Sequence, residues 1–209
     1  MPLLYSIAAF IACFICIQAE KVTYIFGGEQ FKSAAIPVMI MALYPIHQTY
    51  GQLNSTIFLA TGQTRLYSII SIIFVLIGLP LVFFLIAPTD KMGYNAGATG
   101  LAIKMVSIQF IAVNVQLFFH SRFLKLKFIK YFAHQLISTG FLIIAAIASK
   151  TLISLLPVLD NHVIGNILAS GSIYCIIVFT ALWFFPIIFG LHNEDIRNTI
   201  IMIKDRIIK

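Results

Sequence analysis

Lys104 stands eight residues into the apolar stretch 96–118, where an ammonium group has little to solvate it. That places it about 12 Å along a helix of ordinary rise. A cation near a membrane centre costs about 2.5–3.5 kcal/mol even on lenient insertion scales, so such residues mark functional sites by default. Ser107 and Asn114 share its side of the helix. A second polar concentration is the run Tyr44-Pro-Ile-His-Gln-Thr-Tyr-Gly-Gln-Leu-Asn-Ser-Thr56. At the helical period, Tyr44, Gln48, Gly51, Gln52, Ser55, Leu59 and Gly62 fall on one stripe, flanked by His47 and Asn54. Amides facing lipid would lack partners, so the stripe faces either packed helices or a substrate path. The alternative for Lys104 is an interhelical bond to carbonyls or to a missing partner chain. Lys150, near the end of its stretch, reads as a snorkelling lysine.

Other reactive residue types do not assemble. Cys13-Phe-Ile-Cys16 has the spacing of a redox or zinc pair, but it has no second pair and no nearby histidine. A thiolate in hydrocarbon would be costly, and Cys13, Cys16 and Cys175 read as ordinary helix residues. No acid pair lies at membrane depth, and neither HExxH nor GxSxG occurs. The chain is therefore not expected to be an enzyme or to carry a cofactor or metal. A net charge of +7 without a basic face also argues against nucleic-acid binding.

The elements that position these residues follow from composition. Apolar residues make up 60% of the 209, and charged residues 10%. Soluble chains run at about 45–50% and about 25%. The solvent for most of this surface is lipid. A span needs roughly 20 mostly apolar residues. Six stretches qualify, at 2–18, 34–60, 66–88, 96–118, 131–156 and 163–190. The expected fold is an all-α integral membrane bundle over 1–190. Pro45, Pro80 and Pro186 lie inside these stretches and mark candidate bends.

Charge orients the bundle. Arg65, Arg122, Lys125, Lys127, Lys130, Arg197, Lys204, Arg206 and Lys209 fall on one side. Lys21, Lys32 and Lys91 fall on the other, among Glu20, Glu29, Asp90 and Asp160. The bias places both termini in the cytoplasm. In the tail 191–209, Ile196, Ile200, Ile203 and Ile207 recur at helical spacing among basic residues, as in an interfacial amphipathic helix. The first span resembles a signal-peptide core, but no basic residue precedes it and Ile17 is not small. An uncleaved helix is the favoured reading.

Several runs carry a family likeness: Phe26-Gly-Gly-Glu-Gln-Phe31, then Ala34 to Pro37, Gln48-Thr-Tyr-Gly-Gln-Leu-Asn-Ser55 and Ala60-Thr-Gly-Gln-Thr-Arg-Leu-Tyr67. Gly93-Tyr-Asn-Ala-Gly-Ala-Thr-Gly-Leu-Ala-Ile-Lys104 continues them. Together they resemble the polysaccharide-exporter family of the MOP superfamily, and within it the Wzx-type flippases of O-antigen and capsule synthesis. The resemblance covers 26–104; the last two spans fit only as generic helices. It implies a MATE-like bundle that moves an undecaprenyl-pyrophosphate-linked oligosaccharide across the bacterial inner membrane, with a coupling ion. Such transporters have about twice as many helices. The chain therefore resembles the C-terminal portion, which implies a missing N-terminal half or partner chain. On this likeness Lys104 would hold the anionic head of the lipid-linked sugar, while Gln48, Gln52, Asn54 and Asn114 would bond sugar hydroxyls. The competing expectation is a non-transporting scaffold within a glycan-assembly complex, in which Lys104 would be neutralised by a contact.

Overall fold

The computed structural model describes residues 2–155 and 162–191. All regular structure among the described residues is helical. The expected amphipathic tail lies beyond them, except for Leu191. The helices are α1 (Pro2–Ile17), α2 (Ala19–Gly27), α3 (Ala35–Met41), α4 (Tyr44–Ala60), α5 (Thr64–Ile86), α6 (Gly97–Phe123), α7 (Phe128–Ser154) and α8 (Val163–Phe184). By length and composition α5, α6, α7 and α8 are able to cross a membrane, and a fifth crossing exists if the bent α1–α2 pair counts as one. The remaining expected crossing, 34–60, is interrupted and polar.

Proline accounts for two departures from the expected spans. The stretch 34–60 is not one helix. It breaks at Ala42 and Leu43, between α3 and α4. Pro45 has no amide to give the carbonyl of Met41, the last residue of α3, and its ring crowds that carbonyl. The last span ends at Phe184 rather than 190, and Pro186–Phe189 form a 3₁₀ turn instead. Pro80, by contrast, is carried within a continuous α5. The first span ends at Ile17, and α2 leaves it at 75°. The segment expected to be an external loop thus begins as helix.

Two groups of helices meet at α1. α6 packs on α3, α4 and α5, while α7 packs on α1 and α8, and α1 also touches α3 and α4. Tyr5, Ala9, Ala12 and Cys13 of α1 are buried against Leu142, Ala145 and Ala146 of α7 and Ile46 and Tyr50 of α4. Small side chains let these backbones approach closely, which in lipid is the main source of helix affinity. Polar pairs supplement it: Ser6 with Ser138 at 3.1 Å, and the Tyr5 hydroxyl with Thr139 Oγ1 at 3.1 Å. The α1–α2 bend is held from outside α1. Lys150 Nζ donates to the carbonyl of Ile17 at 3.2 Å, and Gln18 Nε2 donates to Ser170 Oγ at 2.9 Å. Lys150 therefore caps the C-terminal end of α1 rather than merely reaching for the interface. Lys21 donates to Asn166 Oδ1 on α8.

The turn between α4 and α5 explains the Thr61-Gly62-Gln63 run. Gly62 has φ of 70°, and the Gln63 amide donates back to the Phe58 carbonyl at 2.8 Å. This is the left-handed closure that glycine permits at a helix end. It returns the chain directly into α5, beside α6, and so forms one wall of a groove.

Candidate polar groove between α4, α5 and α6

The groove has a volume of about 390 Å³. Its α4 wall is Tyr44, Gln48, Gly51, Gln52 and Ser55, five members of the stripe expected from helical spacing. α5 adds Tyr67, Ser71, Phe74 and Val75. α6 forms the floor with Lys104, Gln109 and Gln116 among Met105, Ile108, Ala112 and Val113. The polar side chains on these three helices are a cation, four amides and several hydroxyls. Among the described residues no carboxylate lines the groove.

Lys104 is half-buried, and among the described residues its ammonium makes no hydrogen bond or ion pair. Its place is made by a glycine. A Cβ on Gly78 of α5 would stand 3.2 Å from Lys104 Cε and 3.3 Å from Nζ. Gly51 serves Gln109 in the same way: its Cβ would stand 3.0 Å from Gln109 Nε2. Thus α4 and α5 each give up a side chain where α6 projects a polar one. Gln116 is 92% buried, from an exposure of 8%, yet its Oε1 has no hydrogen-bond partner. Buried amide oxygens are nearly always satisfied, so an orphan that lines a cavity is met there by water or by a guest.

The five expected contact residues divide. Lys104, Gln48 and Gln52 come together on the groove. Asn54 does not line it. It is fully buried, its Nδ2 donates to the Val113 carbonyl at 3.1 Å, and its own carbonyl accepts from His120 Nε2 at 3.0 Å. Asn114 turns the other way. It forms an amide pair with Gln135 of α7, with Gln135 Nε2 donating to Asn114 Oδ1 at 3.1 Å, and its Nδ2 also donates to the Phe110 carbonyl at 2.9 Å. Both asparagines tie helices together in this arrangement. Gln109, Gln116, Tyr67 and Ser71 were not singled out from sequence. The i, i+7 repeat of Gln109 and Gln116 was the available signal, since that spacing returns to the same helical face.

The cysteines are not paired with one another. Cys13 and Cys16 are buried and free, Cys175 is half-buried and free, and no cluster of metal-ligating residues occurs among the described residues.

The groove presents one cation and four amides on a partly apolar surface. A primary ammonium offers three donors to phosphate oxygens as a point charge. Amides offer both donors and acceptors, matching sugar hydroxyls that do both. No protein-family model, curated protein or solved structure matches the chain.

Proposed function

We propose that the chain is one helical bundle, of six crossings, of a Wzx-type MOP-superfamily flippase. It would move undecaprenyl-pyrophosphate-linked oligosaccharides across the bacterial inner membrane for O-antigen or capsule synthesis. The observation that carries the proposal is the unpaired Lys104 ammonium in a groove lined by amides and lacking a carboxylate. Lipid cannot solvate that cation, whereas water and an anionic guest can. A scaffold would want the same cation neutralised by a contact, and among the described residues it has none. The exposed amides of Gln48 and Gln52 support the same reading, because they need a polar neighbour beyond this bundle. A second bundle across the groove, supplied by a missing N-terminal half or a partner chain, would provide it. The excess of Lys and Arg on one side supports a cytoplasmic position for both termini.

The test is surface glycan display in cells lacking their own flippase, with the full-length transporter at matched membrane abundance. Lys104→Arg keeps partial display because the charge remains. Lys104→Ala loses more, and Lys104→Glu loses most, at least tenfold, because it repels the phosphate. A tenfold loss corresponds to about 1.4 kcal/mol of binding. Equal display from wild type and Lys104→Glu would contradict the proposal.

A further inference from the structure

The other helix group carries a larger cavity, of about 790 Å³, separate from the groove. It lies where the start of α1, the start of α7 and the 3₁₀ turn after α8 come together. Pro2, Lys130, His134, Ile137, Ile188 and Gly190 are among its lining residues. This is the end of the bundle that carries the basic α6–α7 turn, with Lys125 and Lys127. The wall is mainly apolar, and among the described residues no carboxylate lines it.

Along α7 the lining changes in a fixed order. Lys130, His134 and Ile137 stand at i, i+4 and i+7, so they share one face of the helix. At the ordinary helical rise, His134 lies about 6 Å inward of Lys130, and Ile137 about 10 Å. Lys130 is exposed, and among the described residues its ammonium makes no hydrogen bond or ion pair. Both ring nitrogens of His134 are buried without a hydrogen-bond partner. The Ile188 backbone lies beside the ring, but without hydrogen-bond geometry to either nitrogen. An imidazole carries at least one N–H, so this ring needs an acceptor that the apolar wall does not supply. Gly190 keeps the space beside it open. Its φ is 74°, and a Cβ there would stand 3.2 Å from His134 Nε2 and overlap Pro2. Beyond the ring, Ile137 and Ile187 are exposed, so the cavity runs onto the apolar outer surface of the bundle.

We propose that this cavity binds one anionic glycerophospholipid from the leaflet that the basic turn faces. Its phosphate meets the Lys130 ammonium, which binds as a point charge with three donors. Its ester carbonyls, or water held beside them, supply the acceptor that His134 lacks. An acyl chain follows Ile137, Ile187 and Ile188. Cation, N–H donor and hydrocarbon thus succeed one another along α7 in the order in which such a lipid presents phosphate, ester and chain. Free phosphate would use Lys130 alone and leave the isoleucine wall bare. A zwitterionic lipid would fit the wall but gain less from an unpaired cation. Basic pockets between membrane helices take anionic head groups in this way. The bound lipid would join the start of α1 to α7 and to the turn at Pro186–Phe189. The inference requires that the bundle lie in a bilayer, and it is independent of what the groove holds.

The test uses the full chain in nanodiscs of equal parts phosphatidylglycerol and phosphatidylcholine with the same acyl chains. A photo-crosslinking amino acid is placed at position 137, in the cavity, or at position 144, exposed on the same helix outside it. The adducts are identified by mass spectrometry. Position 137 should capture phosphatidylglycerol at least threefold over phosphatidylcholine, and position 144 should capture the two about equally. Lys130→Gln should reduce the ratio at position 137 to that at 144, and Lys130→Arg should keep the preference. Lys130 is exposed, so neither substitution disturbs the packed core. Lys127→Gln, in the same basic turn but outside the cavity lining, should leave the ratio unchanged. Equal ratios at positions 137 and 144 overturn the proposal. So does a preference that Lys127→Gln lowers as much as Lys130→Gln, because the turn would then attract anionic lipid diffusely. A crosslink from position 137 to residues 192–209 in place of lipid would assign the cavity to the chain's own tail and overturn it as well.

Discussion

A single ammonium defines the site because its surroundings have been cleared for it. Gly78 sits where any side chain would press on Lys104, and this gives a prediction that separates position from stability. Gly78→Ala should raise helix propensity by about 1 kcal/mol. The added methyl would displace the flexible end of Lys104 by a few tenths of an ångström. Membrane abundance and melting temperature should therefore hold or rise while glycan display falls several-fold; a display equal to wild type would show that the placement of Lys104 is unimportant. Gln52 and Asn54, two residues apart, should behave in opposite ways. Gln52→Leu should leave abundance unchanged and lower display, because Gln52 is exposed on the groove. Asn54→Leu removes the bond to the Val113 carbonyl and should cost about 1–3 kcal/mol, read as a lower melting temperature in detergent. Matching effects of the two substitutions on both readouts would refute this division.

Helical period made much of the groove legible in the sequence. Of the stripe read from a 3.6-residue repeat, Tyr44, Gln48, Gly51, Gln52 and Ser55 form one wall, whereas Leu59, which is exposed, and Gly62 do not line it. The same repeat misplaced Asn114. Lys104, Ser107 and Asn114 lie within about 80° of one another, but the groove occupies the other side of Lys104. Which neighbour a helix meets on each side depends on the packing order of α4, α5 and α7, and one helix's periodicity does not contain that information. The α3–α4 break was half visible, since Pro45 was marked as a bend inside a span rather than as its end. A proline that deprives one carbonyl is carried through α5 at Pro80 but ends a helix beside Pro45, where the next turn is already polar. The role of Lys150 was out of reach: capping Ile17 requires knowing that α1 stops there and that α7 runs beside it.

At the scale of the whole molecule, lipid is the solvent that makes sense of the surface. α5 exposes Ile69, Ile72, Ile73, Leu76, Ile77 and Leu79, an apolar face suited to acyl chains. On the neighbouring side the groove exposes amides that lipid would leave unsatisfied. The molecule therefore has a lipid side and a side that needs a polar neighbour. Its orientation is testable independently. Cysteine introduced at position 125, in the basic turn between α6 and α7, should be protected from impermeant thiol reagents in intact cells, and cysteine at position 91 should be labelled. Labelling of position 125 from outside would reverse the assignment. The central claim, that the groove holds a lipid-linked anionic glycan, is tested most directly by capturing that guest. A photo-crosslinking amino acid at position 52, in the full-length transporter in glycan-producing cells, should yield a sugar-bearing adduct detected by a glycan-specific lectin. The same residue at position 72, on the lipid face of α5, should yield little, and Lys104→Glu should abolish the adduct at position 52. Equal sugar capture at positions 52 and 72, or capture at position 52 undiminished by Lys104→Glu, would contradict the account.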